Sequence, residues 1–491
     1  MRELQSMTRQ WPAIPAVILL SSVVLLVTMM LIAAMLYFPP LVVVLFGGIV
    51  YMALAIKSPF AGYVLVVWSF IFKPALILFP AGGTRDTGFI NTLTVADFVL
   101  FGLLAALALR TFFSKDAVVL RALRTHALFF LLIGILLMWT FPGLLHASSI
   151  PWGVSNILRL VNGMLLGLFA LILLRTQADI VRFACWMLPA FLVAVLWGWY
   201  EVIFGEYILL NIGRPIAEQT LATADAGYYR AIGPTGDPVY YSVALTFGMA
   251  MSLLVFHHGR ARWLRSLGLF TAVFCGITIL TTGARGGMLA AFILLGVYFF
   301  FVRMRHKVLV LSSTAVATVL AMVLYAVTIS TLPLGRLAVT GGEKDETTVH
   351  RLGLYSQSIR MFSDSPIIGV GHGEFPRHQA KYFERRTPRY TLRPHSVYLQ
   401  LLAEDGVVVF FLYLSILAYC SLPLLALVLR LQDPYERITA VILLGLVLAY
   451  VLFATNTNLL EDDYVWLALA FSQIFRSACN GQSEAGLDVT A

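Results

Sequence analysis

The 491-residue sequence predicts an all-α, polytopic integral membrane protein of about 12–14 transmembrane helices with a large outer loop containing short helices. Three observations predict it. The chain is 60% hydrophobic and only 12% charged, which leaves too little polar surface to cover a water-soluble globule and excludes a disordered chain or a coiled coil. The apolar residues fall in many blocks of roughly 17–25, the length that crosses a bilayer core. The cations between those blocks alternate from gap to gap, as insertion demands.

The blocks lie at about 14–37, 40–56, 60–79, 93–113, 127–144, 154–174, 181–204, 238–257, 264–281, 287–303, 308–330, 406–429, 438–455 and 462–476. The first follows a short basic N-terminus, Met1 to Trp11, and is too long for a signal-peptide core, so it is expected to stay as a membrane helix. Phe38-Pro39-Pro40 separates it from the second. With the N-terminus in the cytoplasm, the inner gaps hold Lys57, Arg110, Lys115, Arg121, Arg124, Arg175, Arg182, Arg260, Arg262, Arg265, Arg303, Arg305, Lys307, Arg430 and Arg437, while the short outer gaps hold almost none. Both termini are then cytoplasmic, in an inner membrane. The chain divides into spans one to eleven over 1–330 with an outer loop at 205–237, a large periplasmic loop at 331–405, C-terminal spans over 406–476 and a cytoplasmic tail at 477–491. The four cysteines show no CxxC or Cys/His cluster and read as small buried hydrophobes. Lys73 and Asp97 are the clearest ionisable residues inside spans, and both sit near helix ends. That scarcity argues against a pump or ion-coupled transporter, which needs charge near the bilayer centre.

The net charge of +9 would suggest a nucleic-acid partner in a soluble protein; here it orients helices, and no nucleic acid is expected. The 331–405 loop, however, carries ten basic residues between Arg336 and Arg393 and is net positive. Insertion does not require cations outside, so they point to an anionic ligand there. Within the loop, Leu352, Tyr355, Ile359 and Phe362 have helical spacing and predict an amphipathic helix ending at Asp364-Ser365-Pro366. The alternating glycines Gly369, Gly371 and Gly373 predict a tight turn, either with bare amides for an anion or packed against the rest of the protein.

Pro394 sets the chain ahead of a helix, with His395 at its start on the face of Leu399 and Leu402 and Arg393 beside it. An imidazole there can act as a general base or be a satisfied structural histidine. Arg230, before Gly233-Pro234-Thr235-Gly236-Asp237-Pro238, and Arg285, between Ala284 and Gly286-Gly287, stand at outer helix ends. A guanidinium pairs bidentately with phosphate oxygens; snorkelling to lipid headgroups is the alternative. Three outer segments offering arginine, arginine and arginine with histidine favour one anion site.

The run from Arg351 through Ser365-Pro366-Ile367-Ile368-Gly369-Val370-Gly371 to His395-Ser396-Val397-Tyr398-Leu399 and Glu404-Asp405-Gly406 resembles the signature of the bacterial O-antigen ligase/O-antigen polymerase superfamily. Arg230, Gly233-Pro234, Asp237-Pro238 and the Gly283-Ala284-Arg285-Gly286 turn resemble its upstream pattern, and the likeness covers about 225–475. Ser396, Val239 and Ala284 stand where Asn, Asn and Ser are common. The resemblance implies a membrane glycosyltransferase of O-antigen ligase type, working without a metal or cofactor at the periplasmic face. Its donor would be a glycan on undecaprenyl pyrophosphate, and its acceptor a hydroxyl of lipid A-core or another surface glycan. It further implies His395 as the base, with Arg230, Arg285 and Arg393 on the pyrophosphate. No DxD pair lies in the large loop, and Glu461-Asp462-Asp463 is read as the one acidic cluster, structural in role. The alternatives are a repeat-unit polymerase, a protein O-glycosylating enzyme, a lipid-linked oligosaccharide flippase and a scaffold of an export complex.

Overall fold

The computed structural model describes residues 40–73, 94–114, 118–145, 150–212, 229–302, 346–382 and 393–487. These are helices joined by turns: α1 (Pro40–Lys57), α2 (Pro59–Ile71), α3 (Val95–Ser114), α4 (Val118–Thr125), α5 (Ala127–Thr140), α6 (Ile150–Leu173), α7 (Gln177–Phe204), α8 (Pro238–His258), α9 (Arg262–Thr281), α10 (Arg285–Phe301), α11 (Glu346–Asp364), α12 (Val397–Glu404), α13 (Gly406–Arg430), α14 (Pro434–Phe453) and α15 (Asp463–Leu487). Among them eight are long and apolar enough to cross a membrane, and three shorter apolar helices accompany them. Twelve of the fourteen predicted spans fall on described helices; 14–37 and 308–330 lie outside the described residues. The protein is an all-α polytopic membrane protein.

Two helices form the centre. Residues 464–475 of α15 are all buried, and 16 side chains of α8 are too. Phe247 of α8 meets Tyr464 and Phe471 of α15 at ring centroid distances of 5.4 and 5.9 Å. With no water to drive apolar helices together, close approach comes from small residues and interhelical hydrogen bonds. Gly167 of α6 lies against the Trp466 backbone, Gly248 against the Phe191 ring, and Tyr241 donates to the Ala194 carbonyl at 2.5 Å.

Interhelical contacts sort the helix ends into two sets that match the predicted alternation. At one end Gln177 and His258 meet Thr439, each at 2.8 Å, and Arg182 lies 4.3 Å over the Phe60 ring. At the other, Lys73 pairs with Asp97 at 3.0 Å, and Asn162 donates to the same carboxylate at 3.2 Å. The 230, 285, 372, 395 and 461 segments belong to this second end, through the contacts given below. Lys73 and Asp97 thus satisfy one another, which is how an ionisable pair is tolerated at a span's end.

Three local expectations change. In α11 the buried residues are Leu354, Gln357, Ser358 and Met361, whereas Leu352 and Ile359 are exposed. The loop core of Leu354, Met361, Val370, Phe375 and Ala403 selects the opposite face from the one the apolar spacing suggested. His395 is not in a helix: α12 begins at Val397, with Ser396 as its N-cap. Finally, the inner gap at 115–126 contains α4, a short helix carrying Arg121 and Arg124 on its exposed side and burying Ala122.

Candidate functional site

The Arg230 segment is shaped by one buried acid. Glu201, in α7, has no exposed surface and accepts the amides of Ile232 at 2.9 Å and Gly233 at 2.8 Å, with Trp197 donating to its other oxygen at 3.0 Å. Gly233 has φ +52, and a Cβ there would strike the Tyr241 ring, so only glycine fits. Asp237 caps α8 by accepting the amides of Val239 at 2.7 Å and Tyr240 at 3.2 Å. Burial raises the Asp237 carboxyl pKa, against those amides and the nearby Arg230. The half-buried Arg230 donates Nε–H to the Thr282 carbonyl at 2.8 Å, and Ala231 N donates to Thr281 at 3.2 Å. These bonds bind the segment to the turn in which Gly283 (φ +62) lets Arg285 open α10 with an exposed side chain. Arg230 and Arg285 therefore stand on adjoining turns. Replacing Glu201 by Ala leaves two buried amides unpaired, at a cost of about 1–3 kcal/mol each. We expect a lower melting temperature in detergent, with Glu201→Gln intermediate because its amide keeps one acceptor oxygen.

His395 sits between two fixed points. Val397 N donates to the Ala454 carbonyl at 2.9 Å, and Ser396 Oγ accepts from Leu399 N at 3.5 Å. Before it, Arg393 donates Nη1–H to Glu461 at 2.8 Å and Nη2–H to Asn156 Oδ1 at 3.2 Å. Glu461 charge is favoured by Arg393, Arg159 and His372, which together outweigh its burial and lower its pKa. In between, His395 has φ +54, the one non-glycine residue at positive φ among those described. That conformation is uncommon and is kept where the surroundings fix it, most often at functional sites. The side chain is half-buried.

Helix packing joins the segments. Gly286, next to Arg285, lies against the Phe453 ring, and Gly287 against Ser242 of α8. Phe453 adjoins Ala454, which holds Val397. Exposed Tyr240, in the first turn of α8, lies within electrostatic range of both Asp237 and the Arg393–Glu461 pair. All four residues singled out from the sequence, Arg230, Arg285, Arg393 and His395, thus border the same set of helix ends.

The glycine run is a packed loop. Val370 N donates to Ala403 at 2.9 Å, Gly371 N to Glu404 at 2.8 Å and Phe375 N to the Glu404 carboxylate at 3.1 Å. A Cβ on Gly373 would strike Asn156. These amides serve the protein, so of the two expectations for the run, packing holds.

Several residues escaped the sequence. Arg159 and Glu201 both lie inside spans predicted at 154–174 and 181–204, and Asn156, Arg159 and Asn162 at three-residue spacing were the available signal. Glu461-Asp462-Asp463 is not the one acidic cluster. His372, Glu404 and Asp405 are buried with ligand-type atoms within 4.8 Å of one another, the spacing of a cation site. Their atoms are largely spent on one another and on the protein: His372 Nδ1 faces Asp405 at 3.0 Å, and Gln400 donates to Glu404 at 2.8 Å. Burial alone would lower the His372 pKa, but the Asp405 carboxylate outweighs it and raises it to about 9. A folded pKa above the unfolded 6.5 stabilises fully below pH 6.5 and is lost as pH rises through about 9. The melting temperature should fall between pH 7 and 9.5, and Asp405→Asn should flatten that fall.

The fold is that of a polytopic membrane protein, and Arg230, Arg285, Arg393 and His395 lie at one set of its helix ends. Residues 270–414 match the family model Wzy_C, described as O-antigen ligase. The matched segment takes in Arg285, Arg393 and His395 and leaves Arg230 outside, and it supports a likeness of this part of the chain to the O-antigen ligase/polymerase superfamily. A comparison with curated proteins returned no match.

Proposed function

We propose that the protein is a glycan transferase of O-antigen ligase type. It moves a glycan from an undecaprenyl-pyrophosphate donor to an acceptor hydroxyl of lipid A-core or another surface glycan, at the periplasmic face of the inner membrane. The observation that carries this reading is the adjoining placement of Arg230 and Arg285, tied by the Arg230–Thr282 bond and linked through Phe453 and Ala454 to the His395 segment. In the reaction His395 takes the acceptor's hydroxyl proton as the oxygen attacks the anomeric carbon. The bond from that carbon to the phosphate oxygen breaks, and its electron pair leaves with undecaprenyl pyrophosphate. Arg230 and Arg285 stabilise the charge on that leaving group. Arg393, its fork shared with Glu461 and Asn156, holds the His395 segment and adds positive potential.

The chemistry is proposed to need no metal. Prolonged chelation should leave the rate unchanged; loss of activity restored by Mg²⁺ would contradict this and direct attention to His372, Glu404 and Asp405. Deletion of the gene followed by analysis of lipid-linked and surface glycans separates the two family activities. Full-length chains left on the carrier indicate a ligase, and single repeat units a polymerase.

A further inference from the structure

We propose that the helix ends opposite His395 carry a site for an anionic phospholipid with two phosphates, of the cardiolipin class, built on Lys57, Arg110 and Arg175. The site does not depend on the transferase reading above. Only the leaflet, the cytoplasmic one, rests on the expected orientation of the chain.

The site begins with two cavities that share a residue. One, of about 220 Å³, lies among the ends of α2, α3, α4 and α6. Phe60, Leu107, Val119 and Ile172 wall it, and Arg110 and Arg175 line it with them. The other, of about 510 Å³, lies between α1 and α3, where Ile56, Leu109 and Phe113 surround Lys57 and Arg110. Arg110 therefore stands between the two. Both cavities belong to the set of ends that holds Gln177 and His258. Arg182 of α7 lies over the Phe60 ring at 4.3 Å, and Arg110 is about 20 Å along α3 from Asp97, which marks the opposite end.

The charge at these cavities has one sign. Three cations line them, and no carboxylate does among the described residues. Asp179, the acid closest to Arg175 in sequence, is spent on capping α7. It accepts the amides of Arg175 and Thr176, each at 3.0 Å, and the Thr176 hydroxyl at 2.9 Å. Arg110 donates Nη1–H to the Ile56 carbonyl at 3.4 Å, which places its guanidinium beside α1. The site uses the charge of Arg110 and needs no vacant donor on it. Insertion accounts for cations at these helix ends, but not for their meeting in cavities with apolar walls. Basic pockets of this kind between spans suit phospholipid headgroups.

Size and surroundings favour a lipid over a soluble anion. The first cavity is smaller than the roughly 300–1,000 Å³ of sites that enclose a whole small molecule, so a headgroup enters and its chains stay outside. Ile56, Leu109, Phe112 and Phe113 are exposed beside it and offer those chains an apolar surface. The short helix α4, which supplies Val119, exposes Leu120 and Leu123 together with Arg121 and Arg124, the composition of a helix lying at headgroup level. Each cavity has one cation of its own and shares Arg110 with the other. That pattern matches two phosphates joined by a short glycerol bridge; a lipid with one phosphate leaves one cavity's cation unused.

The test measures binding of cardiolipin and of phosphatidylglycerol to the purified full-length protein by native mass spectrometry. Wild type should bind cardiolipin about tenfold more tightly than phosphatidylglycerol, the difference of one charge-assisted phosphate contact. Arg175→Ala and Lys57→Ala should each weaken cardiolipin about tenfold and remove most of that preference. Arg262→Ala removes an exposed arginine at the same set of helix ends but outside both cavities, and should change binding less than about twofold. Equal binding of the two lipids by wild type, or binding of neither, overturns the proposal. Equal weakening by Arg262→Ala also overturns it, because it shows diffuse attraction to a basic surface. Lys57 and Arg175 are both exposed, so the fold should survive their loss; if Arg175→Ala fails to fold, Arg175→Gln takes its place, and the wild-type preference decides by itself.

Discussion

His395→Ala should abolish glycan transfer from a purified undecaprenyl-pyrophosphate donor while the protein stays folded and membrane-inserted. Loss of a positioned general base typically costs 10²–10⁴-fold. The fold should survive because several bonds that hold the segment belong to the neighbours of His395. Val397 bonds Ala454, Ser396 caps α12, and Arg393 is tied to Glu461 and Asn156. Alanine is somewhat less favoured than histidine at the positive φ of +54, a cost small beside those bonds. Rate loss at unchanged melting temperature is the expected pair of readings. Retained transfer would remove His395 from the mechanism and return it to a structural role.

Gly369→Ala should have the largest effect on stability. Gly369 has φ +67, and a Cβ there would run into the backbone of Glu404 and Asp405. No side chain can move aside to relieve that contact. The left-handed conformation costs roughly 1–2 kcal/mol, and overpacking against a fixed backbone adds about 1–3 kcal/mol. The loop is joined on both sides of the contact, through Val370 N to Ala403, Gly371 N to Glu404 and Val407 N to Pro366. Its displacement would therefore shift the end of α12 and, with it, the His395 segment. A drop of several degrees in melting temperature together with lost transfer is expected. Gly353→Ala is the control. It lies inside α11 with nothing near its would-be Cβ, and replacing a helical glycine by alanine should be neutral or stabilising by about 0.5–1 kcal/mol.

The membrane architecture was legible because its cause is local. Twenty apolar residues in a row have one low-energy fate, and cations mark the ends. Arg230, Arg285 and Arg393 were legible for a related reason: each stands in a segment between spans where insertion explains no cation. What stayed hidden depended on contacts between distant segments. Apolar spacing in α11 favoured Leu352 and Ile359, but the core that formed around Phe375 and Val370 took Leu354 and Met361. The glycines were recognised as a turn, and only the fold shows the Val370 and Gly371 amides of that run committed to residues 403 and 404. His372 and Asp405 are 33 residues apart and meet at 3.0 Å. Glu201 lay inside an apolar run whose average masked it, and its partners are 31 and 32 residues away.

The central claim is group transfer, as against movement of the lipid. The most direct measurement uses purified protein in proteoliposomes with a radiolabelled undecaprenyl-pyrophosphate glycan and an acceptor glycolipid, and follows both products. The account predicts glycosylated acceptor and free undecaprenyl pyrophosphate in equal amounts, with neither formed by His395→Ala. Donor that crosses the bilayer intact, with no pyrophosphate lipid released, would contradict it and identify a flippase.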